Sequence, residues 1–503
     1  MDSLMSIKSF MRNATVLISG ATGFIGKVLV EKLLRECPEL ANIYILVRPK
    51  KGTDDITSRF AEYKENIIFD HIKQTNPSVM EKLLPIQGDL MQNGLGMHEN
   101  DYRLLCESVN IVYHCAASVR FSDPLKIAIK LNSLGTKQML DLAEQAKNLK
   151  AFVHVSTAFS NVQEKLIKEA IYEPLFDYHA VIEATLNDND AFLVEAERKI
   201  LKLLPNTYVY SKNVGEKLVD DVSNRMPVCI VRPSVVCPSY RDPYPGWVDS
   251  INGPASVLLG ASTGLLRCVH GKGHLTPDLL PVDFASNATI AASVQCAELW
   301  EKGGRNLQVF NLTTSSEIPI TWNDFLQLGR KTYEKYPSKR AFWYPGGRMY
   351  KNYWVFVLAF TVIQFIPALV LDGLLAIIQR PRWLVRTQKK IWNNMKLFDY
   401  FLQHQWKWEN DNLLKLYHRM ELSDQYTFNF DATIVDYPTY IGNWIFGYRK
   451  FILKQGDESL PSAKRKYMML YYIDFVTKLL LIGLLDFLLR KLPIWDFVGL
   501  SNF

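Results

Sequence analysis

The sequence predicts an α/β fold: a doubly wound parallel sheet, followed by a small helical carboxy-terminal domain set between two long apolar segments. Three features of the 503 residues carry this prediction. Short apolar runs alternate with amphipathic ones, a glycine-spaced turn follows the first run, and two apolar stretches lie in the last third. In order, "ATVLISG" reads as a strand, "GKVLVEKLLREC" as a helix, "NIYILV" as a strand and "KLLPIQGDL" as a strand end. "VNIVYHCAA" reads as a strand, "TKQMLDLAEQA" as a helix and "AFVHVST" as a strand. A helix around Val209 to Ser223 and the strand "PVCIVRPS" continue the series. Runs apolar on both faces and separated by helices indicate buried, parallel strands with helical crossovers. From 237 to 285 the text is rich in Pro and Gly ("CPSYRDPYPGWVDSINGPA") and reads as loops covering a substrate site rather than more sheet.

Residues 353–378 carry one charge, Asp372, over 26 positions, and ~20 apolar residues suffice to cross a bilayer. Pro367 lies inside this run. Both flanks are basic, with Lys339, Arg340, Arg348 and Lys351 before it and Arg380, Arg382, Arg386, Lys389 and Lys390 after it. Because cytosolic flanks attract Lys and Arg, a simple span and a re-entrant hairpin bent at Pro367 are both open. A second run, 467–489, carries Asp474, Lys478 and Asp486. At roughly 2.5 to 3.5 kcal/mol per central charge it is a weaker span, free to insert, lie in the interface or pack on the first. The aromatic stretch between them, 391–452, reads as a helical module with its aromatic stripe as core.

A hydrophobic content of 48% supplies a core and more, and a net charge of +7 without any Lys/Arg tract argues against a nucleic-acid partner. Seven cysteines are scattered singly, as reduced thiols are, and nine histidines form no HExxH or Cys/His cluster, so no metal is expected. The opening "MDSLMSIKSFMRNATVLISG" has no apolar core followed by a small-residue cleavage site, so the first domain is expected to fold in the cytosol.

In "LISGATGFIGKVLVEKLL", Gly20, Gly23 and Gly26 sit where strand becomes helix. Gly20 permits the tight turn, Gly23 lets a pyrophosphate approach the backbone and Gly26 lets the helix pack on the sheet; Thr22, Phe24 and Ile25 complete the cofactor turn. About twenty residues on, an NAD binder offers a carboxylate to the ribose 2′-hydroxyl. Here the second strand ends "ILVRPKK": Arg48, with Lys50 and Lys51, suits a 2′-phosphate, so NADPH is expected, with Asp54 and Asp55 the nearby acids that argue for NADH. Asp89, with Leu90 in "QGDL", is placed to meet the adenine amino group or serves as a turn residue. "NTYVYSKNVGEKL" contains YxxxK, which puts Tyr208 and Lys212 on one helix face. An ammonium near a phenol favours the phenolate and lowers a pKa of about 10, so Tyr208 is expected to exchange a proton near neutrality. Upstream, "HVSTAFSN" offers Thr157 or Ser156 to a substrate carbonyl oxygen as it gains charge. Cys115, in "YHCAAS", reads as packing rather than as a nucleophile.

"GATGFIG", "LVRPK", "GDL", "HCAASVRF", "LNSLGT", "VHVSTAFSN", YxxxK followed by Glu216, "VRPSVV", "PGWVDSINGP", "LLPVDFASN" and "WKWENDNLLKLY…FNFD" together resemble the extended short-chain dehydrogenase/reductases. Within that superfamily they look like the eukaryotic, insect-like fatty acyl-CoA reductases with a carboxy-terminal male-sterility-type domain, over nearly all of residues 13–455. The resemblance implies an NADPH-binding Rossmann reductase domain over 1–350 that includes the substrate loops, and a small helical domain over 380–455. Membrane segments at 353–378 and 467–489 complete the chain. It implies that Asn132 holds a water or the catalytic Lys212, that Ala116 and Ala117 line the cofactor, and that Arg232, Pro233 and Ser234 close over the nicotinamide side. The implied activity is reduction of long-chain acyl-CoA to a primary alcohol through an aldehyde, on a membrane with the catalytic domain facing the cytosol. The endoplasmic reticulum is the expected membrane, with peroxisome and lipid droplet as alternatives. "GASTGLLR" departs from the family's usual run, which leaves the acyl and CoA pocket open, along with acyl length and oligomeric state. Rival readings are a membrane-bound sterol-type or nucleotide-sugar dehydrogenase and an NADP-binding scaffold.

Overall fold

The computed structural model describes residues 3–49, 55–251 and 253–491. Seven parallel strands form its main sheet: β1 Thr15–Ser19, β2 Asn42–Val47, β3 Leu83–Gln87, β4 Ile111–His114, β5 Ala151–Val155, β6 Val228–Pro233 and β7 Gln308–Leu312. Their order is β7-β6-β5-β4-β1-β2-β3. The chain moves outward from β1 to β3, then crosses to β4 on the other side, so Leu17 pairs with both Tyr44 and Val112. Loops leaving β1 and β4 therefore diverge, and open α/β sheets bind ligands in the crevice so formed. Six of the strands stand where the apolar runs put them; β7 is the addition.

Leu17, Val112, Phe152, Ile230 and Val309 line one sheet face and pack against Met139 and Leu140 of helix Gly135–Glu144 and Val219 of helix Thr207–Asp220. On the opposite face, helix Val282–Glu301 is buried from Val282 to Ala297, and its Ala and Ser residues let it lie against helix Phe24–Glu36. Tyr113, pointing to that side, shares a hydrogen bond with Ser293 at 2.8 Å.

The chain divides into two compact units, each assembled from stretches that are not consecutive. One comprises the residues up to Ser250, His274–Trp322 and Lys396–Tyr440; the other comprises Ile251–Gly273, Asn323–Met395 and the chain from Ile441 onward. Much of the aromatic module thus belongs to the sheet-bearing unit. Lys407–Trp408 pairs in parallel with Leu166–Ile167, while the indole N–H groups of Trp406 and Trp408 donate to Val162 O at 2.9 Å and Ala158 O at 2.8 Å. A segment this short cannot bury such large rings against itself, so they join a core that already exists. The Pro- and Gly-rich stretch is also more regular than expected: Val235–Cys237 pairs with Leu279–Pro281, and Gly253–Ser262 is helical.

In the second unit, Tyr353–Ile377 is one helical run with a π-helical turn at Thr361–Phe365. That wider turn directly precedes Pro367 and absorbs the carbonyl clash, so the helical run continues through the proline. Reversal comes at 378–383, and the Asp372 carboxylate accepts the N–H groups of Trp383, Leu384 and Val385 at 3.1, 3.1 and 2.9 Å, capping helix Leu384–Gln403. Tyr353–Ile377 and Asp457–Leu484 are both long and apolar enough to cross a membrane.

Trp408→Ala removes an indole packed on Phe159 at a centroid distance of 5.5 Å together with its hydrogen bond to Ala158. A loss of about 3–5 kcal/mol is expected, read as a lower thermal midpoint by circular dichroism, with Trp408→Phe recovering part of it.

Candidate active site

Gly20 leaves β1 with φ of +74°, a left-handed conformation that glycine adopts without strain. A Cβ there would stand 2.6 Å from Ala116 N, so the loops leaving β1 and β4 touch. A Cβ on Gly26 would stand 2.2 Å from Gly20 O, which forces glycine at the start of helix Phe24–Glu36. N–H groups in a helix's first turn lack intrahelical partners, and here Gly20 and Gly23 put no side chain in the turn before them. That geometry fits a dinucleotide pyrophosphate. Thr22 is half-buried in the turn, and Phe24 stacks on Trp247 at 5.5 Å while Ile25 follows it into the helix. Ala116 and Ala117 are half-buried beside Gly20.

Arg48 is exposed just past the end of β2. Arg59, which no sequence pattern singles out, donates to Arg48 O at 2.6 Å and brings a second cation beside Arg48. Asp55 instead caps its own turn, accepting Thr57 N at 2.7 Å. Lys50, Lys51 and Asp54 lie outside the described residues. Asp89 is held as a turn residue: its carboxylate accepts Met91 N at 3.1 Å and its N–H donates to Leu95 O at 2.7 Å. Leu90 is buried, with its carbonyl accepting from Gln138 at 3.1 Å.

The second cluster gathers where β5 ends. Asn206 caps helix Thr207–Asp220 by accepting Val209 N at 3.0 Å, and Tyr208, Lys212 and Glu216 follow at successive turns, all buried. The Thr157 hydroxyl lies close enough to the Tyr208 phenol to favour its ionised form. Lys212 donates to Val155 O at 2.7 Å. Glu216 accepts from Ser156 at 2.5 Å and Ser160 at 3.0 Å, and forms a two-pronged pair with Arg232 at 2.9 and 2.7 Å.

This geometry corrects several expectations. Burial pushes the Tyr208 phenol up to about 12, opposed by the nearby Thr157, so its net shift is away from neutrality. Lys212 is itself brought down to about 8 by burial, against the pull of Glu216 and Cys115. Ser156 is committed to Glu216, which leaves Thr157 as the hydroxyl beside Tyr208. Asn132 is engaged with Ser118 and Ser211: it accepts Ser118 N at 2.8 Å and donates to Ser118 O and Ser211 Oγ at 3.1 and 2.9 Å. It thereby ties the loop after β4 to the Tyr208 helix from within a π-helical turn, Ile129–Leu134. Arg232 is fully buried, donating also to Lys168 O and Ala170 O at 3.0 and 2.8 Å. Pro233 ends β6, and Ser234 donates to Asp278. The Cys115 thiol is pushed up to about 12 by burial, as befits packing.

Phe121 closes the "HCAASVRF" run, where nothing local marks a role for it, and its ring lies 5.7 Å from Tyr208 and 5.5 and 5.4 Å from Phe398 and Phe401. The site thus joins two hydroxyls and a buried ammonium to an aromatic wall. Such a group can polarise a carbonyl, return a proton and shelter an apolar substituent. Glu216→Gln leaves the Arg232 charge buried without its counter-ion and is expected to cost about 3–5 kcal/mol, whereas adding Arg232→Met recovers much of the thermal midpoint.

Residues 18–289 match an NAD-binding domain described as male sterility protein, and 363–455 match the sterile domain of the same description. Its cofactor is therefore a nicotinamide dinucleotide. Fatty acyl-CoA reductase 1 of Rattus norvegicus is 34% identical over 465 residues, covering 92% of this chain and 89% of the relative. Fatty acyl-CoA reductase 2 of Homo sapiens is 34% identical over 473 residues, covering 94% and 91%. Among solved structures, the terminal R domain of the myxalamid PKS-NRPS biosynthetic pathway aligns with a TM-score of 0.60 at 20% identity, over 88% of this chain and 92% of that one, a likeness of fold. Identity sustained along nine-tenths of both chains, on a sheet with this glycine crevice and Tyr208–Lys212 helix, means that the chain belongs to the fatty acyl-CoA reductase family.

Proposed function

We propose that the protein reduces long-chain fatty acyl-CoA to the primary alcohol with NADPH, releasing CoA and passing through the aldehyde. The observation that carries this reading is the Tyr208 phenol placed beside the Thr157 hydroxyl at the end of β5, with Lys212 one helical turn away and the Phe121 wall beside it. When bound, the nicotinamide supplies hydride to the carbonyl carbon in each of the two reductions. Tyr208 and Thr157 donate to the thioester oxygen as it becomes an oxyanion, and donors already oriented need no reorganisation. The hemithioacetal then collapses, its C–S bond breaks, and CoA departs as the thiolate. In the second reduction the aldehyde oxygen becomes an alkoxide. Tyr208, kept protonated by burial, gives it a proton, and the Lys212 ammonium stabilises the phenolate left behind. NADPH is favoured because Arg48 and Arg59 stand together past β2 while Asp55 is engaged with Thr57. The two apolar helices support a seat on a membrane; we take the catalytic unit to lie in the cytosol and the endoplasmic reticulum to be the compartment. An insoluble alcohol leaves directly into such a membrane.

The test is a product assay on membranes carrying the full chain, with palmitoyl- or stearoyl-CoA. Fatty alcohol is expected with NADPH, and Tyr208→Phe should lower its formation by about 100-fold or more. Arg48→Ala combined with Arg59→Ala should narrow the preference for NADPH over NADH. Neither alcohol nor aldehyde at any chain length would turn the reading to a sterol-type dehydrogenase. Because Lys212 is charged below about 8 and neutral above it, kcat/KM should fall as pH rises through that value. Lys212→Arg, which stays charged, should remove that alkaline limb.

A further inference from the structure

Helix Tyr353–Ile377 has the length and composition of a bilayer span, but the fold around it is incompatible with one. The chain before it and the segment Lys396–Tyr440 after it belong to the same compact unit, joined by the pairing of Leu166–Ile167 with Lys407–Trp408 and by the Trp408–Ala158 hydrogen bond. A single crossing would put these hydrogen-bonded partners on opposite sides of the membrane. A double crossing would need Leu384–Gln403 as its return, and that helix carries Arg386, Lys389, Lys390 and Lys396. Each would cost roughly 2.5 to 3.5 kcal/mol near the bilayer centre.

The inner side of the helix gives a second reason. Gln364, buried near its midpoint, accepts the backbone N–H groups of Arg267 and Cys268, each at 2.6 Å, and donates to Gln388 at 2.9 Å. Gln388 in turn donates to Leu265 O at 3.0 Å. A two-stranded pair, Cys268–His270 with Arg348–Tyr350, is therefore fastened to the middle of the helix, and an open strand edge is not tolerated in hydrocarbon. The outer side is apolar and exposed at helical spacing: Trp354 (75%), Leu358 (65%), Val362, Ile366, Val370 and Ile377 (79%). Arg380 and Arg382 in the turn, and Arg386, Lys389 and Lys390 on the next helix, are exposed beside it.

We propose that this helical hairpin is a monotopic wedge: the outer face of Tyr353–Ile377 sinks into one leaflet of an anionic bilayer, the neighbouring cations meet lipid phosphate, and the chain does not cross. Apolar burial together with headgroup attraction is the binding mode of interfacial helices. Asp457–Leu484 could hold the chain on a membrane by itself, so topology and depth are the decisive readouts.

In sealed microsomes bearing the full chain, Lys351→Cys and Gln379→Cys, which bracket the helix, should react with an impermeant maleimide to the same extent before and after permeabilisation. Reaction of Gln379→Cys only after permeabilisation would establish a crossing and overturn the proposal. In vesicles of phosphatidylcholine and phosphatidylserine, a fluorophore on Leu358→Cys or Ile377→Cys should be quenched most by nitroxides near the headgroups. Stronger quenching by nitroxides at the chain ends, or none, would overturn it, as would equal quenching without phosphatidylserine. None of these readouts depends on catalysis, so they stand apart from the proposed reaction.

Discussion

Glu216 and Arg232 face each other with no solvent-exposed surface on either side chain, and the rest of the site is arranged around them. Removing two opposite charges from water is costly unless their geometry is good and their remaining donors and acceptors are filled. Here both conditions hold: the pair is two-pronged, Glu216 also accepts from Ser156 and Ser160, and Arg232 reaches the carbonyls of Lys168 and Ala170. The pair therefore fixes the Tyr208 helix, the end of β5, strand β6 and the excursion after β5 against one another. Tyr208 and Thr157 inherit their positions from this lock, since one lies two turns earlier on the same helix and the other next to Ser156 in the chain.

Dryness at the sheet end has opposite effects on the two groups it surrounds. Burial disfavours whichever form is charged, so the phenol of Tyr208 moves up while the ammonium of Lys212 moves down. A phenol so placed is a dependable acid toward an alkoxide, which binds a proton more tightly still. Asn132 adds a mechanical link, bridging Ser118 in the loop after β4 to Ser211 on the Tyr208 helix. The crevice formed by β1 and β4 and the Tyr208 cluster are thus braced by one side chain.

The chain's path explains its two-part organisation. It leaves the sheet-bearing unit after Trp322, builds the apolar helix within the second unit, and returns at Lys396 to supply Phe398, Phe401, Trp406 and Trp408. The aromatic residues that follow the lipid-like segment are the ones that wall in Tyr208 through Phe121.

Six of the seven sheet strands, the glycine turn and the pairing of Tyr208 with Lys212 were legible in the sequence, because each is written within a few residues. A buried strand is a local apolar run, a tight turn needs glycine wherever it occurs, and a four-residue spacing meets on any helix. The sequence also showed Glu216 and Arg232, but not that they are partners. The choice of Thr157 over Ser156, the arrival of Arg59 beside Arg48, the return of Lys396–Tyr440 to the sheet-bearing unit and the direction of the Tyr208 shift were decided only in three dimensions. Each depends on which groups from distant parts of the chain exclude water from the same spot, and burial and electrostatic coupling are properties of that assembled environment.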